Sequence, residues 1–239
     1  MRLAVLSDIH SNLAALEAVW DDLPTIDELW VLGDIVGYGP QPNEVIAALQ
    51  QMGARSVMGN HDGAAIGTVD TADFNPDAAK AVGWTAQALD DNARGYLAAL
   101  PEVRCEEALT AVHGSPRDPV WEYITSPAVA AANLNAFDTA LCLFGHTHVP
   151  AVFSSTDGQV AATRPRAGEV ASLAGRCLIN PGSVGQPRDG DPSAAYLILD
   201  TQAGTAEFRR VRYDVERTQR AMRHAGLPGR LAERLAYGR

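Results

Sequence analysis

The stretch Leu29-Trp30-Val31-Leu32-Gly33-Asp34 is an apolar run that ends abruptly in a glycine and a carboxylate. Its composition predicts a buried strand followed by a sharp turn. Burying a lone carboxylate is costly unless the group is paired or binds a metal. Asp34 therefore needs a partner, and the histidine-bearing segments elsewhere in the chain are candidates to supply one.

The segments around this stretch repeat its pattern of an apolar strand followed by a polar cluster. Residues 2–6 and 55–58 are predicted strands, and apolar residues at helical spacing predict helices over 13–23 and 42–52. Strands that alternate with helices are typical of a layered α/β domain. Such sheets bind ligands at the carboxyl ends of their strands, which is where each polar cluster falls.

The rest of the chain predicts more helices and then a second sheet. Residues 63–100 are alanine-rich and predicted to be helical, and the pattern leaves open whether the loop around Asn75 reaches the functional site. Strands are predicted at 108–112 and 140–144, and a helix from Asp214 to Ala225. The connections between the later strands are too short for crossover helices, so we expect a second, largely antiparallel sheet. Its predicted strands are 151–153, 159–163, 177–179, 195–199 and 206–211.

Composition and charge narrow the classes of function. The 239 residues are 46% hydrophobic and 20% charged, with a formal net charge of −10. Because no basic stripe is present, we expect no non-specific binding to nucleic acid, and an anionic ligand would need bound cations. No linker or repeat divides the chain, so we predict a single domain, residues 1–239.

The sequence also leads to expectations about where in the cell the protein is located. No apolar run approaches the roughly 18 residues of a membrane span, so no membrane association is expected. The apolar run at residues 3–6 is too short for a secretory signal. Cys105, Cys142 and Cys177 are odd in number and far apart, which favours reduced, buried thiols and a cytoplasmic protein.

Five of the six histidines lie in short polar clusters after predicted strands, and His224 is the exception, predicted to lie on the surface. Each cluster alone is a weak signal of function. Alternation along a strand would put both side chains of an x-separated pair on one face, as a shared metal requires. The clusters are Asp8-x-His10, Gly33-Asp34, Gly59-Asn60-His61-Asp62, His113 and Gly145-His146-x-His148.

In this order the clusters resemble the signature of the calcineurin-like metallophosphoesterase superfamily, which reads D-x-H, G-D, G-N-H-[DE], H and G-H-x-H. Residues 33–44 and 180–188 are similar to a branch of small bacterial and archaeal phosphodiesterases. The resemblance implies an α/β fold with two facing β-sheets flanked by helices, a four-layer α/β/β/α sandwich. It also implies a dimetal site at the strand ends on one edge.

The resemblance further implies a set of metal ligands. One ion would be bound by Asp8, His10 and His148, the other by Asn60, His113 and His146, and both by Asp34. These nitrogen and oxygen donors, without thiolate, suit two divalent cations, Mn²⁺ first, with Fe, Zn²⁺ or Ni²⁺ as alternatives. Two cations about 3.5–4 Å apart would convert a bridging water to hydroxide for in-line attack on a phosphoryl group.

Other residues receive roles from the same resemblance. His61 would stabilise the transition state or protonate the leaving oxygen. Asp62 would orient the His61 imidazole, or cap the following helix, or both. Tyr38 and Arg188 are candidate substrate-binding residues, one stacking on a base or aryl group and the other contacting phosphate. The alternative is that Tyr38 packs locally and Arg188 is a solvated loop residue.

The function implied is a dimetal-dependent phosphoesterase, above all a phosphodiesterase, acting on a small phosphorylated substrate. Alternatives are a dinucleoside polyphosphate hydrolase or a protein phosphatase, and the acidic charge disfavours a nuclease. A non-catalytic scaffold would be expected to lack His61 or some of the ligands, and all are present here. The sequence does not indicate an oligomeric state.

Overall fold

Two β-sheets of six strands each face one another, and helices cover their outer faces. The computed structural model describes residues 1–106, 109–156 and 158–239. The predicted fold class is confirmed. The strands in chain order are β1 (Arg2–Leu6), β2 (Glu28–Val31), β3 (Arg55–Ser56), β4 (Val103–Glu106), β5 (Leu109–Val112), β6 (Leu141–Leu143), β7 (Ala151–Thr156), β8 (Gln159–Thr163), β9 (Val170–Ser172), β10 (Arg176–Asn180), β11 (Ala194–Asp200) and β12 (Thr205–Val211).

Polar residues cap the starts of several helices. Asn12, Asn75 and Asp214 each accept a hydrogen bond from a backbone N–H in the first turn of the helix that follows. Trp20, one of the apolar residues at helical spacing in the predicted helix 13–23, is half exposed. The α-helices of the described residues are α1 (Leu13–Asp22), α2 (Pro42–Gln51), α3 (Asn60–Ile66), α4 (Pro76–Ala88), α5 (Asp91–Ala98), α6 (Pro127–Asn133), α7 (Val215–His224) and α8 (Gly229–Arg234).

Both sheets mix parallel and antiparallel pairs. The first has the order β3-β2-β1-β11-β12-β9 and the second the order β4-β5-β6-β10-β7-β8. The prediction that 195–199 and 206–211 belong to the second sheet is wrong. The helical crossovers place β2 and β3 on one side of β1, so the other edge of β1 is free to pair antiparallel with β11. In the predicted strand 108–112, Ala108 lies outside the described residues.

The core explains why the strands are apolar on both faces. In β1, Leu3 and Val5 pack between the sheets, whereas Ala4 and Leu6 pack against the helices. A strand buried on both sides reads as a continuous apolar run, as in parallel sheets. Because β1, β2 and β3 run parallel, as do β5, β6 and β10, the loops at their carboxyl ends meet at one edge of the sandwich.

The predictions for the cysteines and for His224 can also be compared with the structure. All three cysteines are free thiols, and Cys142 and Cys177 are buried as expected, but Cys105 is exposed. His224 is exposed at the end of α7, as predicted. Within the described parts of the chain, no helix is both long and apolar enough to cross a membrane.

Candidate metal centre

The seven predicted metal ligands lie together at the strand-end edge of the sandwich, and each is at most 4% exposed. Their donor atoms form two groups, one of Asp8, His10, Asp34 and His148, the other of Asp34, His113 and His146, with the atoms of each group within 4.8 Å of one another. Asn60 joins the second group, since its Oδ1 lies 3.1 Å from His113 Nε2. Two groups that share one carboxylate match the predicted arrangement.

Asp34 stands between the two groups. Its Oδ2 lies 3.6 Å from His10 Nε2 and 3.4 Å from His113 Nε2. Its other oxygen, Oδ1, accepts a hydrogen bond of 2.9 Å from the backbone N–H of His61. The backbone therefore fixes one oxygen of the carboxylate and leaves the other facing both groups.

Three of the histidine rings are oriented by backbone carbonyls. The Nδ1 atoms of His10, His113 and His148 lie 3.0, 2.7 and 2.6 Å from the carbonyl oxygens of Val36, Leu32 and Gln186, respectively. A carbonyl only accepts, so each Nδ1 carries the proton and each Nε2 presents a lone pair to the cluster. This outer hydrogen bond is the usual support of a metal-binding histidine.

The donor atoms in the cluster fit divalent cations. His10 Nε2 and His148 Nε2 lie 3.3 Å apart, and His148 Nε2 lies 3.3 Å from Asp8 Oδ1. Nδ1 of His146 lies 3.0 Å from Nε2 of His113, and among the described residues neither oxygen of Asp8 has a hydrogen-bond partner. Buried acceptors that face one another without a proton to share are costly, and a cation between them removes that cost.

Burial sets the protonation of these groups. It raises the pKa of Asp8 to about 7 and lowers the pKa of His10 and of His148 well below the usual value. For His148, the charge of Arg188 acts in the same direction. These two imidazoles are therefore held neutral, which is the form that binds a metal. For His113, burial also acts to lower the pKa, but the adjacent carboxylate of Asp34 outweighs it and the pKa is raised to about 9.

The two side chains of each x-separated pair do lie together, but the predicted reason for this is wrong. Alternation along a strand was expected to align Asp8 with His10, but β1 ends at Leu6 and both residues lie beyond it with φ of 53° and 50°. His146 and His148 lie after β6 with φ of 65° and 59°. The pairs are thus aligned by left-handed turns, a region that Asp and His enter more readily than most residues.

Such turns persist only where the surroundings hold them, because each costs about 1–3 kcal/mol. The backbone N–H of Asp8 donates to the carbonyl of Gly33 at 3.1 Å, and that of His10 donates to the carbonyl of Asp34 at 2.9 Å. Gly33 itself has φ +81°, and a Cβ there would lie 2.9 Å from His113 Nδ1. A glycine is therefore required where the strand-end loops approach one another.

Comparison with known proteins agrees with this arrangement. Residues 1–204 match the sequence profile of the calcineurin-like phosphoesterase superfamily domain. The chain belongs to this family. As the family and the buried donor cluster together show, this phosphoesterase is a metal-dependent hydrolase of phosphoric esters, and the resemblance stated from the sequence is confirmed.

Individual relatives cover the chain to different extents. The crystal structure of a metallophosphoesterase from Sphaerobacter thermophilus superimposes with a TM-score of 0.92 at 48% identity, over 100% of this chain and 99% of that one. An uncharacterized protein of Methanocaldococcus jannaschii is 37% identical over 99% of this chain and 98% of its own length. A symmetrical bis(5′-nucleosyl)-tetraphosphatase of Photorhabdus laumondii is 33% identical over 101 residues, which are 35% of this chain and 37% of that protein.

His61 of the phosphoesterase lies beside the donor cluster, near the start of α3. Its ring is packed between Tyr38 and Phe74, with centroids 4.4 and 4.8 Å away. Burial lowers its pKa to about 4. Gly37, with φ +86°, lies against Nδ1 of the ring, where a Cβ would clash.

Asp62 does not orient this imidazole, so that expectation is wrong. Its Oδ1 accepts from the backbone N–H of Val36 at 2.9 Å, and its Oδ2 accepts from that of Gly59 at 3.0 Å. Since Asp62 lies in the first turn of α3, its carboxylate points back to the helix start and caps it. Asp62 thereby joins the loop after β2 to the start of the helix that carries His61.

The two predicted substrate-binding residues have different surroundings. Tyr38 is 4% exposed and packs edge-on against His10, so the local-packing alternative describes it. Arg188 is half-buried beside the cluster, its backbone N–H donating to the carbonyl of His148 and its guanidinium to Gln186 Oε1 at 3.1 Å. It is therefore not a solvated loop residue, and its contact with phosphate stays a prediction.

Three aromatic residues at the site were missed from the sequence. Phe74, from the loop before α4, packs on His61, so the loop around Asn75 does reach the site while Asn75 itself caps the helix. Trp121 lies edge-on to Phe74 at 5.5 Å, and Tyr123 stacks on His146 at 3.7 Å. In the sequence, these residues are distinguished only by being aromatic outside any periodic pattern of apolar residues. Such aromatic residues are common in loops.

Proposed function

We propose that this phosphoesterase hydrolyses phosphodiesters with two divalent cations, Mn²⁺ ahead of Fe, Zn²⁺ or Ni²⁺. When bound, such cations activate water at neutral pH and neutralise charge on the phosphoryl group. The observation that carries the proposal is the position of Asp34 Oδ2, which lies 3.6 Å from a histidine of one group and 3.4 Å from a histidine of the other.

The residues of the chain hold this arrangement in place before substrate arrives. The carbonyls that bind Nδ1 of His10, His113 and His148 keep three Nε2 atoms aimed inward. Asp34 is turned by the N–H of His61, which also ties the predicted catalytic residue to the shared ligand. Donors fixed in this way need no reorganisation during reaction.

We assign to His61 the transfer of a proton to the leaving oxygen. Its Nδ1 faces the backbone of Gly37 and has no hydrogen-bond partner among the described residues, so Nε2 is the atom that would reach substrate. Tyr38 and Phe74 pack against the ring, which is only 4% exposed. Because burial lowers its pKa to about 4, the imidazole is neutral before substrate binds, and it is the negative charge of the bound phosphoryl group that would raise its pKa so that it can act as a general acid.

Charge favours a diester over a monoester. A diester carries one negative charge, whereas a monoester approaches two near neutral pH. The site holds the buried carboxylates of Asp8, Asp34 and Asp62, and the guanidinium whose charge acts on its histidines is that of Arg188. Two bound divalent cations would outweigh these carboxylates, and together with the attacking hydroxide the site would carry a net charge of about +1, which a singly charged substrate neutralises.

The test uses protein stripped of metal and reloaded with Mn²⁺. We expect bis(4-nitrophenyl) phosphate to be hydrolysed with a kcat/KM about tenfold or more above that of 4-nitrophenyl phosphate. His224→Ala, on the exposed end of α7, is the control and should match the parent. Absence of diester turnover with every divalent metal tried would reject the proposal.

A second candidate is hydrolysis of dinucleoside polyphosphates. It is favoured by the partial likeness to the symmetrical bis(5′-nucleosyl)-tetraphosphatase, which spans 35% of this chain. Incubation with diadenosine tetraphosphate followed by separation of the nucleotides distinguishes it. Cleavage to two equal nucleotides at a higher kcat/KM than the aryl diester would make this the better description.

A further inference from the structure

A pocket of about 450 Å³ begins directly beside the metal centre. Thr147, which lines it, stands between the predicted ligands His146 and His148. Tyr123 also lines it and stacks on the imidazole of His146. The pocket is therefore a neighbour of the metal centre, and its volume is that of a small-molecule site.

The near part of the pocket suits an aromatic ring. Ile124, Ala151 and Phe153 form an apolar lining and are themselves buried. Tyr123 is 47% exposed although one of its faces is covered by His146. Its other face is therefore open to the pocket, where a flat group could stack on it.

The far part of the pocket is positively charged. Arg164, directly after β8, lines it and also lines an adjoining pocket of about 510 Å³ together with Arg166, Arg188 and Arg210. Asp189 and Asp191 also line the second pocket, so its four arginines outnumber its two carboxylates, in a chain with a net charge of −10. Val149 and Arg164 line both pockets, so the two pockets adjoin, and we refer to them together as the groove.

The arginines of the groove differ in whether they are already paired. Arg210 forms an ion pair with Asp189 and donates to the carbonyl of Ser193 at 2.9 Å. In the described residues, no carboxylate lies within ion-pair distance of Arg164 or Arg166. These two guanidinium groups are available to an anion that arrives with the substrate.

We propose that the groove binds the organic substituent of the substrate, with an aromatic ring beside Tyr123 and a second negative charge held by Arg164 and Arg166. The inference rests on the proposed function, because it places the reacting phosphate at the metal centre. It names the substrate class as phosphodiesters whose aromatic substituent carries a further anionic group.

The test compares two 4-nitrophenyl aryl phosphates that differ only in the para group of the second ring, a carboxylate or a carboxamide. We expect the carboxylate to have a kcat/KM about tenfold higher, as one charge-assisted hydrogen bond would give. Arg164→Ala with Arg166→Ala should bring the ratio near one without changing turnover of the carboxamide. Arg223→Ala, an exposed arginine of α7, should keep the ratio. A ratio that survives in the double variant would overturn the proposal.

Binding of ligands that are not hydrolysed tests this inference separately from the proposed function. Calorimetric titration of the Mn²⁺-loaded protein with 4-carboxybenzylphosphonate and its carboxamide should show the same preference, lost in the double variant. Tyr123→Leu should weaken both ligands alike, and Tyr123→Phe should restore them. If aryl diesters are not hydrolysed but this preference holds, only the proposed function fails. If they are hydrolysed and the two ligands bind equally, the groove does not select charge.

Discussion

The metal centre and the groove beside it are built in opposite ways. Side chains of the centre are buried and anchored by backbone groups, as when Asp34 accepts from the His61 N–H and His113 donates to the carbonyl of Leu32. In the groove, Tyr123 and Arg164 are exposed and project from loops. The comparison indicates that the chemistry is held by the fold, whereas substrate choice is left to side chains that can change without disturbing it.

The largest effect should follow from replacing the ligand shared by both groups. Asp34→Ala removes the oxygen that faces His10 and His113, so we expect both metal equivalents to be lost and turnover to fall on the order of 10³-fold. Elemental analysis after dialysis measures the metal content. Asp21→Ala, an exposed carboxylate on α1, is the matched control and should retain two equivalents. Retention of either ion by Asp34→Ala would show that the two groups are independent.

A ligand of one group should have a smaller effect. His10→Ala leaves Asn60, His113 and His146 in place, so we expect about one of two metal equivalents to remain. Titration of the metal-free protein with Mn²⁺ would then show one binding event in place of two. Loss of both ions would mean that the groups assemble only together, which would sharpen the role of Asp34 as their link.

These ligands could be predicted because the chemistry demands certain residue types at strand ends, and the sequence shows where strands end. Their geometry could not, since left-handed turns at Asp8 and His10 leave no periodic signal. The pairing of β11 with β1 was also hidden, because sheet membership depends on which edge remains free after the crossovers. No pattern in the sequence links Tyr123 to His146, and only the folded chain places the two rings together.

Replacing His61 should separate turnover from metal binding. His61→Ala keeps the backbone N–H that orients Asp34, so both metal equivalents should remain while turnover falls about 10²-fold. The loss should be smaller for a diester with a better leaving group, because that oxygen needs less protonation. Unchanged turnover would show that the ring has no part in the chemistry, and lost metal would show that it supports the centre.

The smallest effect is expected where the centre meets the groove. Phe74 covers His61 but is itself only partly buried and is contacted edge-on by Trp121, so it shares the adaptable character of the groove. Phe74→Ala should admit water to the His61 ring and lower kcat by roughly three- to tenfold, with both metals retained. Phe74→Leu, which keeps apolar cover over the ring, should recover most of that loss. If both variants lower kcat as much as His61→Ala does, the aromatic cover is part of the catalytic machinery. Phe74 would then belong to the rigid metal centre and not to the adaptable groove.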